Sequence, residues 1–153
     1  MTASLCKVDF EDVIDSDADA LADLRVAAMR DSLERVGRFD PIRARDRILS
    51  SFNPAFTRHI VVDGARVGFV VVRPVPDELL LDHLYIDPRY QGRGVGAAVL
   101  SRVFSEADLQ CLDVRVGALK DSDANRFYAR HGFEFVEQSD WDVYYVRRHS
   151  KTA

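Results

Sequence analysis

The tightest constraint on this chain is the run Gln91-Gly92-Arg93-Gly94-Val95-Gly96-Ala97. Only 8 of the 153 residues are glycine, and three of them fall inside this run. On its N-terminal side, Leu79–Ile86 reads as a strand, closed by Asp87–Pro88. On its C-terminal side, Val95–Ala107 reads as a helix, with Val95, Val99, Leu100 and Val103 at helical spacing. A strand, a glycine loop and a helix start together make an anion cradle. Glycine lets the backbone turn tightly and approach a ligand. The first N–H groups of the helix have no partner within it, and its dipole places positive potential there. A phosphate or pyrophosphate suits such a place, with Arg89 and Arg93 available for charge-assisted contacts.

Two phosphate-binding patterns compete for the run. A Walker-type loop is excluded, because no GxxxxGK[ST] occurs. A dinucleotide fingerprint is met by Gly92, Gly94 and Ala97, with Asp113 at about the twenty-residue distance that such a fold needs. Its context is wrong, however. The five residues Asp87–Gln91 separate strand from glycine, where a dinucleotide turn follows its strand closely. The preceding strands are joined by hairpins, and 57 residues after Gly96 leave too little chain for a second, catalytic domain.

The rest of the chain supports one domain over residues 1–153. Residues 5–10 form a short first strand. A helix over 16–33, capped by Ser16 or Asp17, carries Leu21, Leu24 and Ala28 at helical spacing. Glu34–Pro41 is a loop, and Asp40–Pro41 opens a second helix that reaches about Phe52. Thr57–Val62 and Ala65–Val72 are strands around the hairpin signal Asp63–Gly64, and Pro74–Asp77 is the turn into the Leu79 strand. Cys111–Val116 is a strand that a right-handed crossover makes parallel to Leu79–Ile86. Asp123–Arg130 is a short helix stopped by Gly132. Phe133–Val136 and Val143–Val146 are the last strands. The order β-α-α-β-β-β-α-β-α-β-β predicts an α+β fold: a mixed sheet of six to seven strands flanked by about four helices.

Charge and cysteine content exclude several functions. A net charge of −4 argues against a general binder of nucleic acid or anionic membrane. No apolar run approaches the roughly 18 residues of a membrane span. The opening MTASLCKVDFEDVIDSD has no apolar core of signal-peptide length, so a cytoplasmic location is expected. Cys6 and Cys111 are read as ordinary buried thiols. With no CxxC or HxxxH pair, no metal site is expected.

The glycine run also satisfies [Q/R]-x-x-G-x-[G/A] through Gln91, Gly94 and Gly96. Together with its flank Leu79-Leu-Leu-Asp-His-Leu-Tyr-Ile-Asp-Pro-Arg-Tyr-Gln-Gly-Arg-Gly-Val-Gly, it resembles the core strand and pyrophosphate loop of the GNAT superfamily of acetyl-CoA-dependent N-acyltransferases. The segment Asn125-Arg-Phe-Tyr-Ala-Arg-His-Gly-Phe133 is similar to that family's second segment, and the order of elements agrees across nearly the whole chain.

The resemblance implies acyl transfer from acetyl-CoA to a primary amine of a small molecule or peptide. It implies that CoA is held by Gln91, Gly92, Arg93, Gly94, Val95, Gly96 and Ala97, and by the strand backbone at Leu84, Tyr85 and Ile86. The Leu84 N–H would polarise the thioester carbonyl. Tyr128 would give the departing thiolate a proton or a hydrogen bond, and Asn125 would bond the pantetheine or nearby backbone. Asp82 lies two residues before Leu84 on the same side of the strand, placed to take the amine's proton or to bind the ammonium. His83 points to the other face and reads as structural. The two N-terminal helices would wall the acceptor site, with Glu34, Phe39, Asp40 and Arg43 available there. The aromatic strand Trp141–Val146 would serve the pocket or a homodimer contact. A non-catalytic acyl-CoA-binding or regulatory domain on the same scaffold is the alternative function.

Overall fold

The structure is a computed structural model, and it describes residues 6–150. The elements are β1 (Asp9–Asp12), α1 (Ala18–Arg35), α2 (Pro41–Leu49), β2 (Thr57–Val62), β3 (Ala65–Val75) and β4 (Glu78–Ile86), followed by α3 (Val95–Leu109), β5 (Asp113–Leu119), α4 (Ala124–Arg130), β6 (Glu134–Gln138) and β7 (Asp142–Arg147). The strands form one seven-stranded sheet in the order β1-β2-β3-β4-β5-β7-β6. This is the expected order of elements. The expected first strand starts later, at Asp9, and its first residue, Leu5, lies outside the described residues.

The chain folds as two compact units. One comprises the residues up to Val71 together with His83–Val99; the other comprises Val72–Asp82 and the chain from Leu100 onward. In the first unit, Asp40 and Pro41 start α2 as their chemistry requires. Asp40 is extended, its Oδ1 accepts from the N–H groups of Ile42 (3.0 Å) and Arg43 (3.2 Å), and proline supplies the first helical φ. The β2–β3 hairpin turns on Asp63 (φ 50°) and Gly64 (φ 81°), the two left-handed residues of a tight turn that matches strand twist. α1 and α2 pack on each other, and Leu21, Ala22 and Ile48 meet Val13, Phe69 and Val71 in a buried cluster that Leu24, Phe52, Phe56 and Tyr85 border.

Two expectations here need correction. Neither Ser16 nor Asp17 caps α1 with its side chain. Instead Asp17 accepts from the Ile14 N–H and faces buried His59, its Oδ2 3.0 Å from each. These contacts hold its carboxyl below the usual carboxylate range, the backbone N–H contributing most. The second helix stops at Leu49, short of Phe52, because Asn53 starts a separate turn by accepting from the Ala55 N–H.

In the second unit, β5 pairs in parallel with the start of β4 over Glu78–Leu81 and Asp113–Val116, as the crossover predicts. β7 runs antiparallel to β5, and β6 antiparallel to β7. The turn into β4 is confined to Pro76 and Asp77; Pro74 and Val75 belong to β3. Cys111 lies in a turn at φ 56° and is exposed, and Cys6 is partly exposed, so neither is the buried thiol expected. The fifth strand therefore starts two residues later than read, at Asp113.

Acidic side chains tie the C-terminal segment down. Asp108 accepts from Arg147 Nη1 and Nη2 (2.6 and 3.2 Å) and from the Ser150 N–H (2.9 Å). Asp113 accepts from the His149 N–H (2.8 Å) and from Arg148 (3.2 Å), with His149 Nδ1 2.8 Å away. Both carboxyls are held below their ordinary value, Asp108 first by the Arg147 side chain and Asp113 first by the His149 backbone N–H. A carboxyl depressed in the native state stabilises it above the unfolded pKa, and that stabilisation fades as pH falls through the native one. Asp113→Asn is therefore expected to lower Tm at neutral pH, with the gap to wild type narrowing as pH falls below the unfolded carboxyl's value of about 4. Thermal melts across this range check it; an equal gap at both ends would remove Asp113 from the acid sensitivity.

Candidate functional site

The glycine loop lies wholly in the first unit. β4 ends at Ile86, and Asp87 opens a short 3-10 turn over Pro88–Tyr90 by accepting from the Arg89 N–H (2.9 Å). Gly92 (φ 75°) and Gly94 (φ 81°) then take left-handed backbone that an L side chain strains to adopt. α3 starts at Val95, and its first internal bond runs from the Ala98 N–H to the Gly94 carbonyl (3.1 Å). The Val95, Gly96 and Ala97 amides are thus first-turn donors without intrahelical acceptors. A Cβ at Gly92 would meet nothing within 4 Å. The conformation, and no steric crowding from the protein, is what calls for glycine there.

Gln91 explains the first letter of the motif. Its Nε2 donates to the Ile86 carbonyl at 3.0 Å, tying the loop back to the end of β4. The two arginines divide. Arg89 is spent on Asp87, through Nε to Oδ1 (3.2 Å) and Nη2 to Oδ2 (2.9 Å), which depresses the Asp87 carboxyl and raises the guanidinium. Arg93 stacks its guanidinium over the Tyr90 ring at 5.4 Å, on the loop itself.

The strand before the loop is held by a close approach that the sequence reading passed over. Gly68 of β3 faces the Tyr85 carbonyl, which a Cβ on Gly68 would approach to 2.3 Å. The Asp87 N–H donates to the Val67 carbonyl at 2.8 Å beside it. An isolated glycine inside a strand pattern was the available signal. The Tyr85 ring packs on Phe69 (5.5 Å between centroids), and its hydroxyl accepts from Arg25 Nε (3.1 Å). Arg25 also went unread, hidden among the apolar positions of α1.

Of the acceptor-side candidates, Glu34 pairs with Arg30 at 2.9 Å, and the Arg30 guanidinium also lies 5.2 Å from the Phe39 ring. Asp40 Oδ1 is engaged as the cap of α2, and Arg43 is exposed on that helix.

In the second unit, Asp82 and Arg73 form an ion pair, Oδ2 to Nε 2.9 Å, with both side chains mostly covered. The carboxylate is thus engaged by a cation from β3. Tyr128 is buried, its ring edge-on to Phe133 (5.2 Å) and near Tyr145 (6.5 Å). Asn125 spends both amide protons on the chain: Nδ2 donates to the carbonyls of Leu119 (2.9 Å) and Ser122 (3.0 Å), while Oδ1 accepts from the Tyr145 hydroxyl (2.8 Å). Its bonds go to nearby backbone and to β7, fastening α4 to the end of β5.

Comparison with known proteins places this arrangement. Residues 56–135, just over half of the chain, match the family model of the acetyltransferase (GNAT) domain, and the chain belongs to that family. An uncharacterized N-acetyltransferase of Mycobacterium tuberculosis is 37% identical over 75 residues, 47% of this chain and 48% of that protein. The match therefore spans about half the length of that relative. Among solved structures, a GCN5-related N-acetyltransferase from Rhodopseudomonas palustris superposes with a TM-score of 0.74 at 20% identity, over 97% of this chain and 98% of that one. The PaiA N-acetyltransferase of Thermoplasma acidophilum, solved with coenzyme A, gives 0.72 at 12% identity, over 94% and 99%. At these identities the likeness is one of fold, and it covers the α+β architecture of four helices on a seven-stranded sheet. Among the described residues, no helix is long and apolar enough to cross a membrane.

The Gly68 contact gives a direct expectation. Gly68→Ala forces a methyl against the Tyr85 carbonyl, and overpacking of this kind costs about 1–3 kcal/mol. Urea denaturation measures it, and a variant as stable as wild type would mean that the two strands part freely at this point.

Proposed function

We propose that the protein is an acetyl-CoA-dependent N-acetyltransferase that acylates a primary amine of a small molecule or peptide by direct attack. One observation carries this most: β4 leads through a loop with left-handed Gly92 and Gly94 into the first turn of α3, in a chain of the GNAT family. The donor set fits the proposed ligand, since a pyrophosphate needs closely spaced N–H donors and a backbone that it can approach. The Gly92–Ala97 amides and the start of α3 would hold the pyrophosphate, with Gln91 fixing the loop and Arg93 adding charge. The backbone at Leu84, Tyr85 and Ile86 would take the pantetheine arm as a strand takes a neighbour.

Acetyl-CoA supplies the acyl group as a thioester. Attack builds negative charge on the acyl oxygen, and the Leu84 N–H is the donor proposed to meet it. The amine must be neutral to attack. Asp82, already ion-paired to Arg73, is proposed to attract the ammonium by charge rather than to carry its proton away. Tyr128 is proposed to hydrogen-bond the departing sulfur. Full proton transfer is mildly uphill from a phenol near pKa ~10 to a thiolate near ~8.5. Asn125 supports this reading as a structural anchor of α4 rather than as a ligand group. We further place the protein in the cytoplasm and propose a homodimer, which the exposed Phe135 and Trp141 near the β6 edge favour.

The test combines binding with turnover. Acetyl-CoA is expected to raise Tm, since a ligand that binds only the folded state stabilises it. Release of CoA thiol, followed with a chromogenic disulfide over a panel of amines, is expected to reveal an acceptor. Tyr128→Phe keeps the ring that packs on Phe133, and kcat per folded molecule is expected to fall about 10- to 100-fold. Unchanged turnover in that variant would end the role given to Tyr128. The absence of any shift with acetyl-CoA would end the reading as a whole.

A further inference from the structure

We infer that Arg25, Tyr85 and His83 form a brace that aims the Leu84 amide, which makes them positioning residues for acyl transfer; this rests on the acetyltransferase reading above. The three side chains come from α1 and β4. Arg25 Nε donates to Tyr85 Oη at 3.1 Å, and Arg25 Nη1 donates to the Ala44 carbonyl of α2 at 2.9 Å. The guanidinium carbon also sits 5.6 Å from the centre of the Tyr85 ring. His83 Nδ1 lies 3.3 Å from the same hydroxyl, and the His83 ring is buried.

Counting protons fixes the direction of one of these bonds. A guanidinium only donates, so Tyr85 Oη accepts from Arg25. The His83 contact takes its direction from the ring's tautomer, because the phenol oxygen can either donate its own proton or accept a second hydrogen bond. With either tautomer the hydroxyl contacts both Arg25 of α1 and His83 of its own strand, which suits it to holding β4 in place.

What it holds is the backbone between the two residues. Along a strand, side chains alternate, so His83 and Tyr85 share one face and Leu84 lies between them. Tyr85 is pinned at three points: its hydroxyl by Arg25 and His83, its ring by Phe69 at 5.5 Å, and its carbonyl by the close approach of Gly68. With the residues on either side fixed, the peptide plane that carries the Leu84 N–H has little freedom left. An oxyanion donor is worth most when its direction is set before the reaction. Because Arg25 also grips α2, the same brace ties the acceptor-side helices to that strand.

The experiment uses the full chain, with Tyr85→Phe, Arg25→Gln and Arg25→Lys. Tyr85→Phe keeps the ring contact with Phe69 and removes only the hydroxyl. It is expected to lower kcat about tenfold, with KM for acetyl-CoA within about twofold of wild type. Arg25→Gln should match it, and Arg25→Lys, a point donor able to reach one partner at a time, should fall between. The second readout is the Leu84 amide resonance in 1H–15N spectra, which Tyr85→Phe should displace. Support requires both changes in an active enzyme. An unmoved Leu84 resonance overturns the brace, as does an unmoved kcat, or a loss of kcat matched by the fraction of unfolded protein. If wild type acylates none of the amines, the functional reading fails on its own, and the Leu84 resonance alone decides the brace: displaced supports it, unmoved overturns it.

Discussion

The first unit depends on how closely β3 can approach β4. At Gly68 the two backbones come nearer than any side chain would permit, with the Tyr85 carbonyl where a Cβ would stand. The neighbouring bond from the Asp87 N–H to the Val67 carbonyl closes the same junction. Everything downstream is placed from there. Ile86 ends the strand, its carbonyl receives Gln91, and the loop that follows leads Gly92 and Gly94 into α3. A shift of the β3–β4 junction would move the strand end, the loop and the helix start together, because each is tied to the one before. The site is thus main-chain in character. Side chains such as Gln91 and Tyr85 matter for where they put backbone amides.

Charge is handled locally throughout the chain. A net charge of −4 leaves an excess of acids, yet many carboxylates are matched to a named donor. Asp17 takes a backbone N–H and faces His59, Asp87 takes Arg89, Asp108 takes Arg147, and Asp82 takes Arg73. Most of these groups are largely covered, and only the Asp87–Arg89 pair reaches well into solvent, where an ion pair is worth little. Their value here lies in placement. Asp87 shapes the turn into the glycine loop, and Asp108 and Asp113 seat the chain after β7. The pairing also removes Arg89 from the set of cations open to a phosphate and leaves Arg93, which stands on the loop, as the better candidate.

Much of the fold was legible because its punctuation is chemical. Asp40–Pro41, Asp63–Gly64 and the glycine run each allow few backbone conformations, and the structure has a helix start, a hairpin and a loop there. The boundaries that moved lacked such signals. α2 stops at Leu49 because Asn53 turns the chain, and the exposed turn at Cys111 has no glycine or proline to announce it. For the site, the motif residues were visible as types at a spacing, but their partners were not. That Asp82 is engaged by Arg73, that Asn125 spends its amide on Leu119 and Ser122, and that Arg25 crosses to Tyr85 all depend on side-chain directions from separate elements. Periodicity assigns a face to a residue and says nothing of which polar atom waits there.

This distinction changes how the polar groups of β4 divide their work. A strand that recruits ligands through its amides cannot also let its side chains rearrange freely, since each rotation of a neighbour tilts a peptide plane. Asp82, His83 and Tyr85 are each engaged within the protein, Asp82 with Arg73 and the other two with each other. A free base on this strand would gain a proton acceptor and lose a fixed point. The structure favours fixed points. Electrostatic stabilisation by a pre-aimed dipole needs no reorganisation at the moment of reaction, whereas an amine whose proton is lost to solvent needs no dedicated base. On that balance, the acyl transfer proposed for this chain would rely on rigid placement of the Leu84 amide more than on acid–base chemistry along β4.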